Sequence, residues 1–129
     1  MSEEYIDFVN SVTSKSTKNQ SDLLEALDIM EEQGATPSRL LTTALGLNGE
    51  AAEFSELIKK CIFQGREYTD EVHAELKSEL SDIMWYIAQG CIALDTTIEE
   101  LMEINTHKLQ ERYPDGFDKN RSNKRYMNE

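Results

Sequence analysis

Apolar residues recur along this chain at steps of three and four with polar residues between them, a period that belongs to helices rather than strands. From Glu3 to about Ser14 the apolar positions are Tyr5, Ile6, Phe8, Val9 and Val12. The polar run Lys15-Ser16-Thr17-Lys18-Asn19-Gln20 then predicts a loop. A second helix is predicted from Asp22 to Gln33, with Ser21 as its N-cap and Gly34 as its stop. Thr36-Pro37 restarts the chain as N-cap and first helical residue, and the third helix runs to about Phe63. Gln64 to Thr69 reads as a loop, followed by a fourth helix from about Asp70 to Leu94. Asp95-Thr96-Thr97 interrupts the pattern, and Thr97 with Glu100 forms a capping-box signature for a fifth helix that reaches about Arg112. Pro114 and Gly116 end that helix, leaving residues 117–129 as a polar, irregular tail. No strand-like alternation with hairpin signals and no internal repeat is visible. The expectation is an all-α single domain over residues 1–129, a four- to five-helix bundle whose core is completed by oligomerisation.

Two of these helices place acidic side chains against their apolar stripe. Leu47, Ala51, Phe54, Ile58 and Ile62 form one stripe, with Glu50 three residues from Leu47 and Glu53 four before Leu57. Leu76, Leu80, Ile83 and Ile87 form the other, beside Glu79 and Asp82. An ionised carboxylate in such a place needs an ion pair, a hydrogen bond or a metal. Residues three apart are separated by about 4.5 Å of helix rise, so two antiparallel helices could bring all four carboxylates to one pocket. The spacing alone leaves the choice open, because Glu4/Asp7, Glu25/Asp28, Asp28/Glu31 and Glu100/Glu103 repeat it. Glu56 reads either as a fifth participant or as a solvated residue. Gly46 and Gly49 each lower helix propensity by about 1 kcal/mol relative to alanine. They mark either close helix packing or a break that lets a ligand approach near Asn48.

Composition narrows the chemistry. A chain of 129 residues fits one domain, and a formal charge of −12 with a pI near 4.5 argues against a nucleic-acid surface. A small anionic substrate fits if cations bridge it to the acidic site. No apolar run long enough for a membrane span and no signal-peptide pattern is seen, so a cytoplasmic protein is expected. Cys61 and Cys91 read as buried thiols, and His73 and His107 as surface residues. The carboxylate-bridged di-iron bundles need Glu-x-x-His motifs, and none of Glu50, Glu53, Glu79 and Asp82 has a histidine three residues on. Oxygen-only ligation suits Mg²⁺, with Mn²⁺ as a substitute. Asn105, Lys108 and Arg112 give the last helix a polar, cationic stripe that either receives phosphate oxygens or complements a helix C-terminus. Trp85 and Tyr86 read as core or interface aromatics, with stacking on a base as the alternative.

Three segments together resemble the MazG-like, all-α nucleoside triphosphate pyrophosphohydrolases, a superfamily that includes dimeric dUTPases and dCTP pyrophosphatases. The resemblance covers roughly Leu40 to Phe117. Its segments are Ala44-Leu45-Gly46-Leu47-Asn48-Gly49-Glu50-Ala51-Ala52-Glu53, then Glu79-Leu80-Ser81-Asp82-Ile83-Met84-Trp85-Tyr86, then Asn105-Thr106-His107-Lys108 with Arg112-Tyr113-Pro114-Asp115-Gly116-Phe117. Ala52 and Ser81 stand where glycine is common in the family, a departure that leaves the ligands in place and the substrate preference open. The resemblance implies Mg²⁺-dependent hydrolysis of a (deoxy)nucleoside triphosphate to monophosphate and pyrophosphate, by attack at the α-phosphorus. It implies Glu50, Glu53, Glu79 and Asp82 as metal ligands and Glu53 or Glu56 as base. Lys59, Trp85, Tyr86, Asn105, Lys108 and Arg112 are the implied substrate contacts, in a homodimer or homotetramer. The other class kept open is a catalytically idle helical module that binds a nucleotide or a protein through the same pocket.

Overall fold

The computed structural model describes residues 1–124, and within them every regular element is a helix: α1 (Glu3–Ser11), α2 (Lys15–Lys18), α3 (Gln20–Glu32), α4 (Pro37–Phe63), α5 (Asp70–Ala93), α6 (Ile98–Arg112) and α7 (Lys119–Lys124). The all-α expectation holds. The start of α4 matches its punctuation, with Pro37 at the first position, where a missing N–H costs nothing. Thr36 does not cap it through its side chain; its hydroxyl donates instead to the Ala93 carbonyl, 3.3 Å away, tying the start of α4 to the end of α5. α5 begins on Thr69, whose hydroxyl accepts from the Val72 N–H at 3.3 Å, with Asp70 and Glu71 in the first turn.

Helix ends follow from backbone chemistry. Beyond α3, Gly34 takes φ +95°, and its N–H and that of Ala35 return to the Glu31 and Met30 carbonyls. Asp95 does the same beyond α5 at φ +50°, with its N–H and that of Thr96 returning to Ile92 and Cys91. Both are Schellman endings, and the second spends a non-glycine residue in the left-handed region.

Four expectations are corrected here. Lys15–Lys18 is a single helical turn rather than loop, capped by Ser14, whose hydroxyl accepts from the Thr17 N–H at 3.3 Å. The preceding helix therefore stops at Ser11, short of Ser14. Ser21 lies inside α3, whose N-cap position is Asn19 with no side-chain cap bond. The tail is not wholly irregular: Asp118 accepts from the Asn120 and Arg121 N–H groups at 2.8 and 3.2 Å and starts α7, while residues 125–129 lie outside the described residues.

The core sits between α4 and α5, which run antiparallel as a hairpin closed by residues 64–69. Leu57 packs with Val72 and Leu76, and Phe54, Ile58 and Cys61 close around them. Val72 is 1% exposed, and removing a side chain such as Leu57 to alanine at a site of this kind costs about 2–5 kcal/mol. Phe54, Ile58 and Leu76 of the predicted stripes lie in this core and Leu57 joins them, whereas Ile62, 65% exposed, and Leu80, 50% exposed, do not. Cys91 is buried and Cys61 half-buried, both as free thiols. α3 and α6 lean on this hairpin over short stretches, and α1 buries no residue.

Candidate metal and nucleotide site

Along the hairpin the partners descend on α5 as they ascend on α4. Thr43 faces Gly90 and Gly46 faces Tyr86; Leu57 then faces Val72 and Leu76. Between these contacts lie Glu50 and Glu53 on α4 and Glu79 on α5. One carboxylate oxygen from each of the three comes within 4.8 Å of the others. The acidic group is thus bracketed by a close-packed glycine contact on one side and the apolar core on the other.

The three carboxylates are not equivalent. Glu50 and Glu79 are half-buried and Glu53 is exposed. Glu79 Oε2 is withdrawn from solvent and has no hydrogen-bond partner among the described residues. Burial, then the negative charges of Glu53, Glu50 and Asp82, and last a hydrogen bond shared with the Glu50 carboxyl push the Glu79 carboxyl above its ordinary range. Asp82 is exposed and offers no oxygen to the three-carboxylate group; it acts on Glu79 through charge alone. Donors that are all oxygen, carrying excess negative charge around an unpartnered atom, fit a hard divalent cation such as Mg²⁺ or Mn²⁺.

One turn on, Glu56 is engaged by Lys59 at 2.8 Å and more loosely by Lys60 at 4.0 Å. The Lys59 contact is the main reason its carboxyl falls below the usual range. The helix does not break at its glycines: α4 is continuous past Asn48. At Gly46 close packing is the reason for glycine, since an added Cβ would fall on Cε1, Cδ1 and Cζ of Tyr86. Nothing stands near Gly49. Tyr86 is half-buried and meets Trp85 edge-on, with ring centroids 4.9 Å apart and an interplanar angle of 89°. Trp85 itself is 55% exposed.

The stripe on α6 is divided. Asn105 and Lys108 are exposed, and their side chains make no hydrogen bond or ion pair among the described residues. Arg112 is half-buried with its guanidinium carbon 5.8 Å from the Tyr113 ring centroid, and its carbonyl accepts from Arg121 at 3.2 Å. The histidines are on the surface: His73 Nδ1 lies 2.7 Å from the Tyr68 hydroxyl, and His107 lies 3.5 Å from Glu111. A separate concavity of about 350 Å³ opens between α3 and the start of α4, lined by Leu27, Glu31, Pro37 and Leu41 among others, and includes none of the carboxylate group. Of the two readings of Gly46, close helix packing is the one observed, with Tyr86 as the partner; Gly90 carries the same signal, a glycine in the interior of a long helix, and has no place in the sequence-based expectation.

Residues 38–117 match the MazG nucleotide pyrophosphohydrolase domain, with the carboxylate group and the Trp85–Tyr86 pair inside the matched segment. The chain belongs to the MazG family. The MazG segment starts at the second residue of α4 and ends beyond α6, so α1 to α3 precede it. The chain is also 39% identical over 70 residues to the Gene 37 protein of Mycobacterium phage L5, covering 53% of this chain and 60% of that protein. It thus spans about three-fifths of that relative's length. No solved structure matches the chain. Enzymes of the MazG family generally use divalent metals, in keeping with the donor set described above.

Proposed function

We propose that this MazG domain hydrolyses (deoxy)nucleoside triphosphates to the monophosphate and pyrophosphate with Mg²⁺, in the cytoplasm, as a homodimer or homotetramer. The observation that carries the reading is Glu79 Oε2, an unpartnered oxygen withdrawn from solvent beside Glu50 and Glu53 inside the family segment. Such an arrangement is unfavourable for a protein without a cation and useful to one with it.

In this reading Glu50, Glu53 and Glu79 hold the metal, with Asp82 adding charge at the edge. The bound ion supplies neutralisation of phosphate oxygens, which an acidic protein would otherwise repel. Glu53 is exposed and free of cationic partners among the described residues, so it is the residue assigned to take the proton of the attacking water. Glu56 is the weaker base, because Lys59 and Lys60 already stabilise its anion. The water oxygen bonds to the α-phosphorus and the bond from that phosphorus to the bridging oxygen breaks, so pyrophosphate departs with the electron pair. Asn105 and Lys108 have side chains without partners among the described residues and are assigned to phosphate oxygens. Lys59 and Arg112 join them only by loosening their contacts with Glu56 and Tyr113. The exposed Trp85, backed by Tyr86, borders the nucleoside.

Incubation with a panel of nucleoside triphosphates and Mg²⁺ in ¹⁸O-labelled water tests this. The expected result is label in the monophosphate and release of unlabelled pyrophosphate, with no diphosphate intermediate. Diphosphate and labelled free phosphate as products, abolished together in Glu53→Gln, would keep the metal site and overturn the pyrophosphohydrolase assignment.

A further inference from the structure

We infer that Gly46 is a positioning residue for the carboxylate group: its missing side chain lets the Tyr86 ring lie on the α4 backbone and so sets the α4–α5 separation at which Glu50, Glu53 and Glu79 converge. Interhelical distance is fixed by the side chains at the contact, and here the contact is a ring on bare backbone. A Cβ at Gly46 would overlap three atoms of that ring. Tyr86 is half-buried, and Trp85 stands edge-on against it at 4.9 Å.

The contact lies close to the acidic group along both helices. Glu50 is one turn beyond Gly46, and Glu79 is about two turns before Tyr86. A second close approach, Thr43 against Gly90, lies one turn further out and keeps the hairpin tight on that side. On the far side the Leu57, Val72 and Leu76 core closes it. Spreading the helices at Gly46 therefore opens the gap at the carboxylates and carries three oxygens that now lie within 4.8 Å of one another away from the closer spacing that a metal–oxygen distance of about 2.1 Å requires.

The consequence for metal binding rests on the carboxylate reading above, whereas the spacing itself does not. Three variants and two readouts separate them. Gly49→Ala is the control, with the same gain in helix propensity and no atom near the added methyl. Mn²⁺ affinity in the absence of nucleotide is measured by the electron paramagnetic resonance of the free ion. Gly46→Ala is expected to weaken binding about tenfold or more, the effect usual for residues that orient metal ligands. Gly49→Ala is expected to match wild type, and Gly46→Ala/Tyr86→Ala to recover most of the loss because the overlap is gone. If Gly46→Ala does not fold and the double variant does, the steric conflict is equally established.

Unchanged Mn²⁺ affinity in a folded Gly46→Ala variant, with a shift in the emission of Trp85, the single tryptophan, would mean that Tyr86 merely turns aside, and would overturn the inference. If wild type binds no Mn²⁺, or Glu79→Gln binds it equally well, the metal reading fails instead. Crystal structures of metal-free wild type and Gly46→Ala then decide the spacing by themselves: a wider gap between Glu50 and Glu79 supports it and an equal gap overturns it.

Discussion

Thr43 on α4 and Gly90 on α5 meet so closely that a Cβ added to Gly90 would stand 3.0 Å from Thr43 Cγ2 and 3.8 Å from Oγ1. Thr43 cannot easily turn away. Its hydroxyl donates to the Arg39 carbonyl at 2.9 Å, and a β-branched side chain in a helix has few rotamers to choose from. Gly90→Ala gains about 1 kcal/mol of helix propensity but forces overpacking that costs about 1–3 kcal/mol. The expected net is a destabilisation of about 1 kcal/mol in urea denaturation. Adding Thr43→Ser, which removes the methyl and keeps the hydroxyl, should restore the loss. A Gly90→Ala variant more stable than wild type would show that the threonine methyl gives way.

The metal-free protein should lose stability as pH rises through the native titration of Glu79. Burial and three like charges hold this carboxyl above the ordinary value of 4.5, so the folded state binds its proton more tightly than the unfolded chain does. The stabilisation from that proton is complete below about pH 4.5 and disappears as pH climbs through the raised native value. Glu56 works in the opposite direction: its contribution is present above 4.5 and is lost as pH falls through its lowered value, though the pair is exposed and screened. Denaturation in the presence of a chelator, from acid to neutral pH, should therefore show Glu79→Gln gaining on wild type as pH rises. Parallel curves for the two proteins would contradict the assignment.

Ion pairing separates the roles of two glutamates on α4. Glu53 has no cationic partner among the described residues, whereas Glu56 is engaged by Lys59 and Lys60. If Glu53 is the base as well as a ligand, Glu53→Gln should reduce kcat by at least about 10²-fold. Glu56→Gln should reduce it far less, and by releasing Lys59 should change KM more than kcat. Initial rates with Mg²⁺ and the best substrate measure this. Equal losses in kcat for both variants would move Glu56 into the reacting group.

Much of this architecture was legible because its punctuation is chemical. Pro37, Gly34 and the Thr97/Glu100 pattern give helix limits within a few residues of those observed, although only half of the capping box forms. Thr97 accepts from the Glu100 N–H at 3.1 Å, while the Glu100 carboxylate takes the Thr96 hydroxyl. The single turn at Lys15–Lys18 was illegible, since it carries no apolar period and rests on the Ser14 hydroxyl. Spacing allowed the convergence of Glu50, Glu53 and Glu79 without singling it out from the other acidic pairs, and it did not foretell the offset of Asp82. Spacing fixes which residues share a helix face and not how far that face turns toward its neighbour. Here Ile62 and Leu80 stay exposed although they share the period of Phe54, Ile58 and Leu76, a tertiary effect that the period alone does not carry.

The distribution of apolar surface leads to the last prediction. The buried apolar side chains of the described residues are Pro37, Leu57, Val72, Leu76 and Cys91, while Leu45 is 70%, Ile62 65%, Phe63 80% and Trp85 55% exposed. Seven helices are ordered around these few side chains, and conformational entropy opposes that ordering. Exposed apolar residues on the two central helices are where further burial would come from, and a second copy of the chain brings the same residues to such an interface. Leu45 is the best probe, since it lies on α4, is among the most exposed of these side chains and is outside the carboxylate group. Sedimentation at micromolar concentration should show a dimer or tetramer for wild type. Leu45→Glu should shift the distribution toward smaller species and lower the denaturation midpoint, because a like-charged pair would replace apolar contact in an already acidic assembly. A wild-type protein that sediments as a stable monomer would remove the oligomer from the proposal, and a Leu45→Glu variant that assembles normally would place the interface on another face.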